Sequence, residues 1–171
     1  MHKLIGAVLG LMLTAAMTTA SAQSCYDDIE ATAPDSRYRD NGDGTVTDRV
    51  TNLIWKQCAE GLSGTACESG RALELTWSDA LKWAADTQFA GSSRWRVPNL
   101  KELESLVEKR CIDPAINSRF FPNTRLWFFW SSSPHANHPD YAWYVFFGDG
   151  YVDYYGKSSP PLYVGLVRHG Q

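Results

Sequence analysis

The 171-residue sequence carries no surplus of positive charge: 16 Lys and Arg stand against 19 Asp and Glu. A nucleic-acid binder or a protein drawn to anionic membranes needs a basic stripe to neutralise phosphates, so neither class of partner is expected. No long apolar run follows the N-terminal stretch, and no membrane insertion is expected beyond that stretch. No Cys-x-x-Cys spacing occurs, which disfavours a zinc site. Internal repeats and low-complexity tracts are also lacking, which excludes solenoid and linker architectures.

What is present begins with a leader. Met1-His2-Lys3 is followed by an apolar run from Leu4 to Ala16 and by small residues ending in Ala20-Ser21-Ala22. A charged start, a short apolar stretch and an A-x-A ending are the parts of a cleavable export signal, and the run is shorter than the roughly 18–20 residues of a spanning helix. Residues 1–22 are therefore expected to be removed. Ala22-Gln23-Ser24 before Cys25 does not fit a lipidation signal. Lys3 is the single charged residue of the leader, so 15 basic residues then face 19 acidic ones, a net charge of −4. A periplasmic or secreted location follows.

The four cysteines, Cys25, Cys58, Cys67 and Cys111, all lie after the leader. An even count in an oxidising compartment predicts two disulfides. Of the three pairings, Cys58–Cys67 and Cys25–Cys111 are expected. The first closes a short loop containing Gly61, Ser63 and Gly64, and the second ties the N-terminal segment to the end of a helix.

Residues 23–36 are polar, contain Pro34 and read as a lead-in segment. Arg37 to Asp48 reads as a hairpin, because Asn41-Gly42 and Asp43-Gly44 tolerate positive φ and β-forming residues flank them. An EF-hand loop with Gly44 at position 6 would place Arg39 at position 1 and Val50 at position 12, so the calcium template fails. Asp40, Asp43 and Asp48 are the oxygen donors to watch. Thr51 to Trp55 predicts a strand. Thr76 and Asp79 have capping spacing for a helix that buries Trp77, Ala80, Leu81 and Ala84 and ends before Gly91. Asn99 and Glu102 make a capping box for a second helix with a stripe of Leu100, Leu103, Leu106 and Val107, ended by Asp113-Pro114. Four β-runs follow at Trp127–Ser131, Tyr141–Phe147, Tyr151–Tyr155 and Leu162–Arg168, with Gly148-Asp149-Gly150 as a tight turn. Fourteen of the 22 aromatic residues lie between Phe120 and Tyr155, so this half holds the main core and any aromatic surface. The fold class is α+β, one domain over residues 37–168.

Taken in order, several segments resemble a known family: Asp40 to Asp48, Thr51 to Trp55, Trp77 to Ala80, Trp95-Arg-Val-Pro-Asn-Leu-Lys-Glu-Leu103, Trp130 to Ser133, Ala142-Trp143, Gly148 to Gly150 and Val164 to Arg168. The series is similar to the Lcl C-terminal domain, named from a collagen-like bacterial adhesin. The resemblance implies a C-type-lectin-like fold, shared with formylglycine-generating enzymes and with retroelement-diversified receptor-binding proteins, and an exported or surface role. The adhesin binds glycosaminoglycans. Here the collagen stalk is missing and the chain is acidic, which speaks against polyanion binding.

The chemistry of other proteins of that fold is poorly matched. Lectins of the Glu-Pro-Asn type bind sugar through calcium; this chain has Val97-Pro98-Asn99, with Asn99 explained as a helix cap, and lacks the later Trp-Asn-Asp. A formylglycine-type oxidoreductase needs late cysteines, and none follows Cys111. His135 and His138 sit in a Pro- and Asn-containing stretch expected to be a solvated loop. Ser131 to Ser133 with those histidines supply hydrolase letters without a demonstrated triad. The expectation is a non-enzymatic recognition module with no cofactor, binding a glycan or a protein. Tyr151, Asp153, Tyr155 and Lys157 alternate with Val152 and Tyr154, so one set is expected to face outward and the other inward. The outward set is the expected ligand site, where the resemblance also implies a variable binding face, with Trp130 and Arg125 as neighbours.

Overall fold

The computed structural model describes residues 23–170; the leader read at 1–22 lies outside the described residues. β1 (Ser24–Cys25) and a 3-10 turn (Asp35–Arg37) lead into β2 (Tyr38–Asp40), β3 (Thr45–Asp48) and β4 (Leu53–Lys56). Three two-residue strands follow, β5 (Leu62–Ser63), β6 (Ser69–Gly70) and β7 (Glu74–Leu75), then α1 (Trp77–Asp86) and α2 (Leu100–Glu104). The chain ends in β8 (Cys111–Ile112), β9 (Phe128–His135), β10 (His138–Phe146), β11 (Tyr151–Gly156), β12 (Leu162–Tyr163) and β13 (Val167–His169). The architecture is α+β, mostly strands, with two α-helices among the described residues.

The first hairpin forms as its letters predict. β2 and β3 pair antiparallel with Tyr38 opposite Asp48, and Gly44 takes φ +80° in the turn. Asp40 and Asp43 are turn acceptors: Asp40 Oδ1 takes the Gly42 N–H at 2.8 Å, and Asp43 Oδ1 takes the Thr45 N–H at 3.0 Å. Asp48 faces inward and is 0% exposed. It receives the Arg37 Nε–H at 2.9 Å and the Val50 N–H at 2.9 Å, while Arg37 Nη1 donates to the Ser105 carbonyl at 2.7 Å. The three aspartates thus shape the hairpin and anchor it, each with its own partners.

Both helices start at the predicted caps. Thr76 Oγ1 accepts the Asp79 N–H, and Asn99 and Glu102 complete a reciprocal capping box. The second helix is shorter than its stripe predicts. Ser105 donates its hydroxyl to the Glu102 carbonyl, the acceptor the Leu106 N–H would use in the next helical bond, and gives its own carbonyl to Arg37. The chain goes on in tighter turns, Leu106 N–H to Leu103 and Val107 N–H to Glu104, which still bury Leu103, Leu106 and Val107.

A four-stranded sheet runs β13-β4-β3-β2, and a five-stranded sheet runs β11-β10-β9-β12-β7 with β12 parallel to β9. The expected run Leu162–Arg168 is two strands in two sheets. Between them Val164 and Leu166 are buried, and their carbonyls accept the Glu60 and Lys56 N–H groups. Alternation along the long strands divides the interior. Phe129, Val145 and Phe147 join Val46, Trp55, Leu103 and Val167 in one core; Trp130, Ala142 and Tyr144 join Ala80, Ala84, Trp95 and Leu166 in the other.

The segment 23–36 is part of the fold rather than a separate lead-in. β1 pairs with β8, and Gln23 donates to the Pro114 and Ile116 carbonyls at 2.6 and 2.7 Å. The buried Glu108 carboxylate accepts the Thr32 and Ala33 N–H groups at 3.0 and 2.8 Å, which satisfies a charge that burial would otherwise penalise. The disulfides are Cys25–Cys111 and Cys58–Cys67, the expected pairs. Cys111 lies in β8, so the first bridge joins two strands instead of reaching a helix end.

With sequence separations of 86 and 9, chain entropy assigns the two bridges about 4–5 and about 2–3 kcal/mol. Replacing both Cys25 and Cys111 by Ala is expected to lower the unfolding free energy more than replacing Cys58 and Cys67, measured by urea denaturation. For Asp48, burial pushes the carboxyl up, but bonds from Arg37, Thr51 and Val50 outweigh it and hold it below the ordinary value of 3.8. A depressed folded-state value gives stability that is fully present above the unfolded value and lost as pH falls through the folded one. Acid unfolding should begin below about pH 4. Asp48→Asn should remove that acid dependence and cost about 3 kcal/mol, read from denaturation midpoints across pH.

Candidate recognition surface

β9, β10 and β11 form a ribbon whose end projects past both cores. Register places Phe128, Phe146 and Tyr151 opposite one another in one row, and Trp130, Tyr144 and Asp153 in the next. These rows and Tyr155, paired with Ala142, share one face. On that face the rings pack in sequence. Trp127 to Phe128 is 4.8 Å between centroids, Phe128 to Tyr144 4.6 Å, Phe128 to Phe146 5.1 Å and Tyr144 to Tyr155 6.4 Å. Phe128 and Tyr144 are held from below by the core, while Trp127, Tyr151 and Tyr155 remain 49%, 51% and 40% exposed. Trp127, Phe128, Tyr155, Pro160, Pro161 and Glu74 line a groove of about 320 Å³, with Leu162 and Tyr163 at its base.

The sequence-expected residues divide between this face and other places. Tyr151 and Asp153 sit together, with the Tyr151 hydroxyl donating to Asp153 Oδ2 at 2.7 Å, and Tyr155 lines the groove. Lys157 lies past the end of β11, with its ammonium 4.3 Å from the Trp77 ring centroid and bonded to the Pro139 carbonyl, so it is held within the fold. Trp130 is corrected outright: it is 0% exposed, and its indole N–H donates to the Leu75 carbonyl at 2.9 Å. Its apolar bulk belongs to the core. Arg125 lines a separate depression with Gln23, Asp113 and Pro114. Trp127, Phe128, Pro160, Pro161 and Glu74 were not expected. The adjacent pair Trp127-Phe128 ahead of a strand was a signal, because alternation lets only one of two neighbours point inward.

Tyr154 was expected to face the core, and it faces outward on the opposite side of the ribbon. Its ring lies 4.4 Å from His135, 5.6 Å from Tyr141 and 5.5 Å from Trp143. β11 is an edge strand, and Val152 is its residue packed against the core. His135 and His138 end one strand and begin the next instead of lying in a loop, and His138 is exposed. They pair across the tip of the β9–β10 hairpin with ring centroids 4.9 Å apart. The Ser131 hydroxyl is buried and donates to the Trp143 carbonyl at 2.8 Å, which leaves it in a structural role. Among the described residues no three His, Cys, Asp or Glu side chains gather as a metal site.

Two phenols of the face are held above the ordinary tyrosine value. The bond to Asp153 raises Tyr151, with a smaller contribution from desolvation, and burial pushes Tyr144 up to about 12, with Asp153 adding to it. The groove lining contains one acidic side chain, Glu74, and no Lys or Arg, and Asp153 lies on the same face.

The model of the Lcl C-terminal domain matches residues 44–168. The chain belongs to the Lcl C-terminal domain family. No curated protein and no solved structure matches it.

The burial difference between the two tryptophans gives a direct check of this geometry. Trp130→Ala should destabilise by about 3–5 kcal/mol through lost burial and a cavity, whereas Trp127→Ala should stay within about 0.5 kcal/mol of the parent. Equilibrium denaturation of both variants measures the difference.

Proposed function

We propose that this domain is an exported, non-enzymatic recognition module that binds its ligand on the aromatic face of the β9–β11 ribbon. The observation that carries this reading is the exposed ring series Trp127, Tyr155 and Tyr151 at a groove, supported from below by rings already fixed in the core. Flat, preordered rings contribute contact area without a large ordering cost, and nearby hydroxyls and carboxylates provide directional bonds. The two disulfides fit an oxidising compartment, periplasmic or extracellular, and no helix among the described residues is long and apolar enough to cross a membrane. The family match adds an adhesion-type precedent. A C-type-lectin-like fold accords with β13 returning to pair with β4 and with two helices set between the early strands and the ribbon.

The groove's size favours a glycan over a folded protein partner. About 320 Å³ is at the small end of ligand clefts, while a stable protein interface needs roughly 800 Å² from each partner. On a glycan array, the wild-type domain should retain a ligand that Trp127→Ala with Tyr155→Ala loses by more than about tenfold. Equal retention by the variant would place the binding surface elsewhere, and a silent array with a cell-envelope protein recovered by pull-down would point to a structural role in the envelope.

A further inference from the structure

From the charges around the groove we infer that its ligand is a saccharide bearing free amino groups, such as a glucosamine oligomer, rather than a sulfated or phosphorylated glycan. This deepens the recognition reading above and rests on it. Glu74 at the groove is exposed on β7, the far edge of the five-stranded sheet, while Trp127 and Tyr155 supply ring faces on the other side. A sugar ring stacked on Trp127 or Tyr155 therefore lies within the field of a carboxylate. Asp153 adds a second negative group on the same face, although its oxygens already receive the Tyr151 hydroxyl and the Tyr154 N–H. Lys157 is turned onto Trp77 and the Pro139 carbonyl, and Arg125, whose carbonyl accepts the Trp127 N–H at 2.8 Å, lines a separate depression. A sulfate or phosphate entering the groove would meet carboxylates and π-faces, both repulsive to an anion. An ammonium would meet the same groups as attractive partners. Its attraction to an aromatic face adds to its attraction to a carboxylate, and stacking and charge pairing act on one ligand unit.

The test uses the whole domain, disulfides intact, with three probes: a glucosamine tetramer, its N-acetylated counterpart and a heparin fragment of similar length. Binding is followed by tryptophan fluorescence and titration calorimetry. At low ionic strength the glucosamine tetramer should bind about two- to fivefold more tightly than the acetylated one, as a partly exposed charge pair provides. Glu74→Gln should close that gap by weakening the glucosamine tetramer toward the acetylated one. About 1 M salt should close it too, since the screening length then falls to ~3 Å. The inference is overturned if the acetylated tetramer binds as tightly, if heparin binds best, or if neither glucosamine probe binds. Trp127→Ala separates the two levels. Loss of binding to every probe keeps the groove as the site whatever the charge preference, and unchanged binding sinks the recognition reading itself.

Discussion

The buried Arg37–Asp48 pair is the constraint on which the rest of the fold rests. A carboxylate with no solvent exposure is tolerable only with its lone pairs engaged, and Asp48 uses the Arg37 guanidinium and the Val50 N–H to achieve this. Arg37 in turn takes the Ser105 carbonyl. One guanidinium therefore fixes the start of the first hairpin against the end of α2. The turns that follow deliver Leu106 and Val107 into the same core as Val46 and Trp55. Glu108, a few residues on, repeats the device with backbone donors and draws Thr32 and Ala33 onto the same region. Two buried carboxylates thus organise the half of the molecule that lies away from the ribbon, and the ribbon needs that half as its support.

How far the sequence foretold this depends on the range over which each signal acts. The first hairpin, both helix starts and the Cys58–Cys67 bridge were legible, because turn glycines, capping residues and a short cysteine loop act locally. With that bridge assigned, Cys25–Cys111 was the pair that remained. The length of α2 was not legible, since it turns on the Ser105 hydroxyl bonding the Glu102 carbonyl, which the apolar stripe does not register. The fate of Leu162–Arg168 was equally hidden. A continuous apolar run reads the same whether it lies in one sheet or passes between two. The segment 23–36 looked detached because its polar residues gave no period, yet those polar groups are what bind it to Glu108, Pro114 and Ile116.

The candidate site was legible as a region and less so as a set of residues. Period-two alternation placed Tyr151, Asp153 and Tyr155 on one face correctly. It misassigned Tyr154, because alternation separates the two faces of a strand without saying whether both are covered. Trp130 was misplaced for the converse reason: a large aromatic in a serine-rich stretch looks available, and only the packing of α1 and β7 above it shows that it is enclosed. The groove itself joins β7, the Pro160-Pro161 turn and the approach to β9. Such a junction of segments far apart in sequence leaves no local mark.

The placement of β12 and β13 has a consequence for how the domain is made. β12 sits between β9 and β7 inside one sheet, and β13 closes the edge of the other beside β4, so neither sheet is complete until the segment 162–169 arrives. Pairings this distant in sequence form late and slowly, after the loops between them have closed. Until then the earlier strands keep open edges, which another strand could join. The last strands act as the latch that closes both sheets.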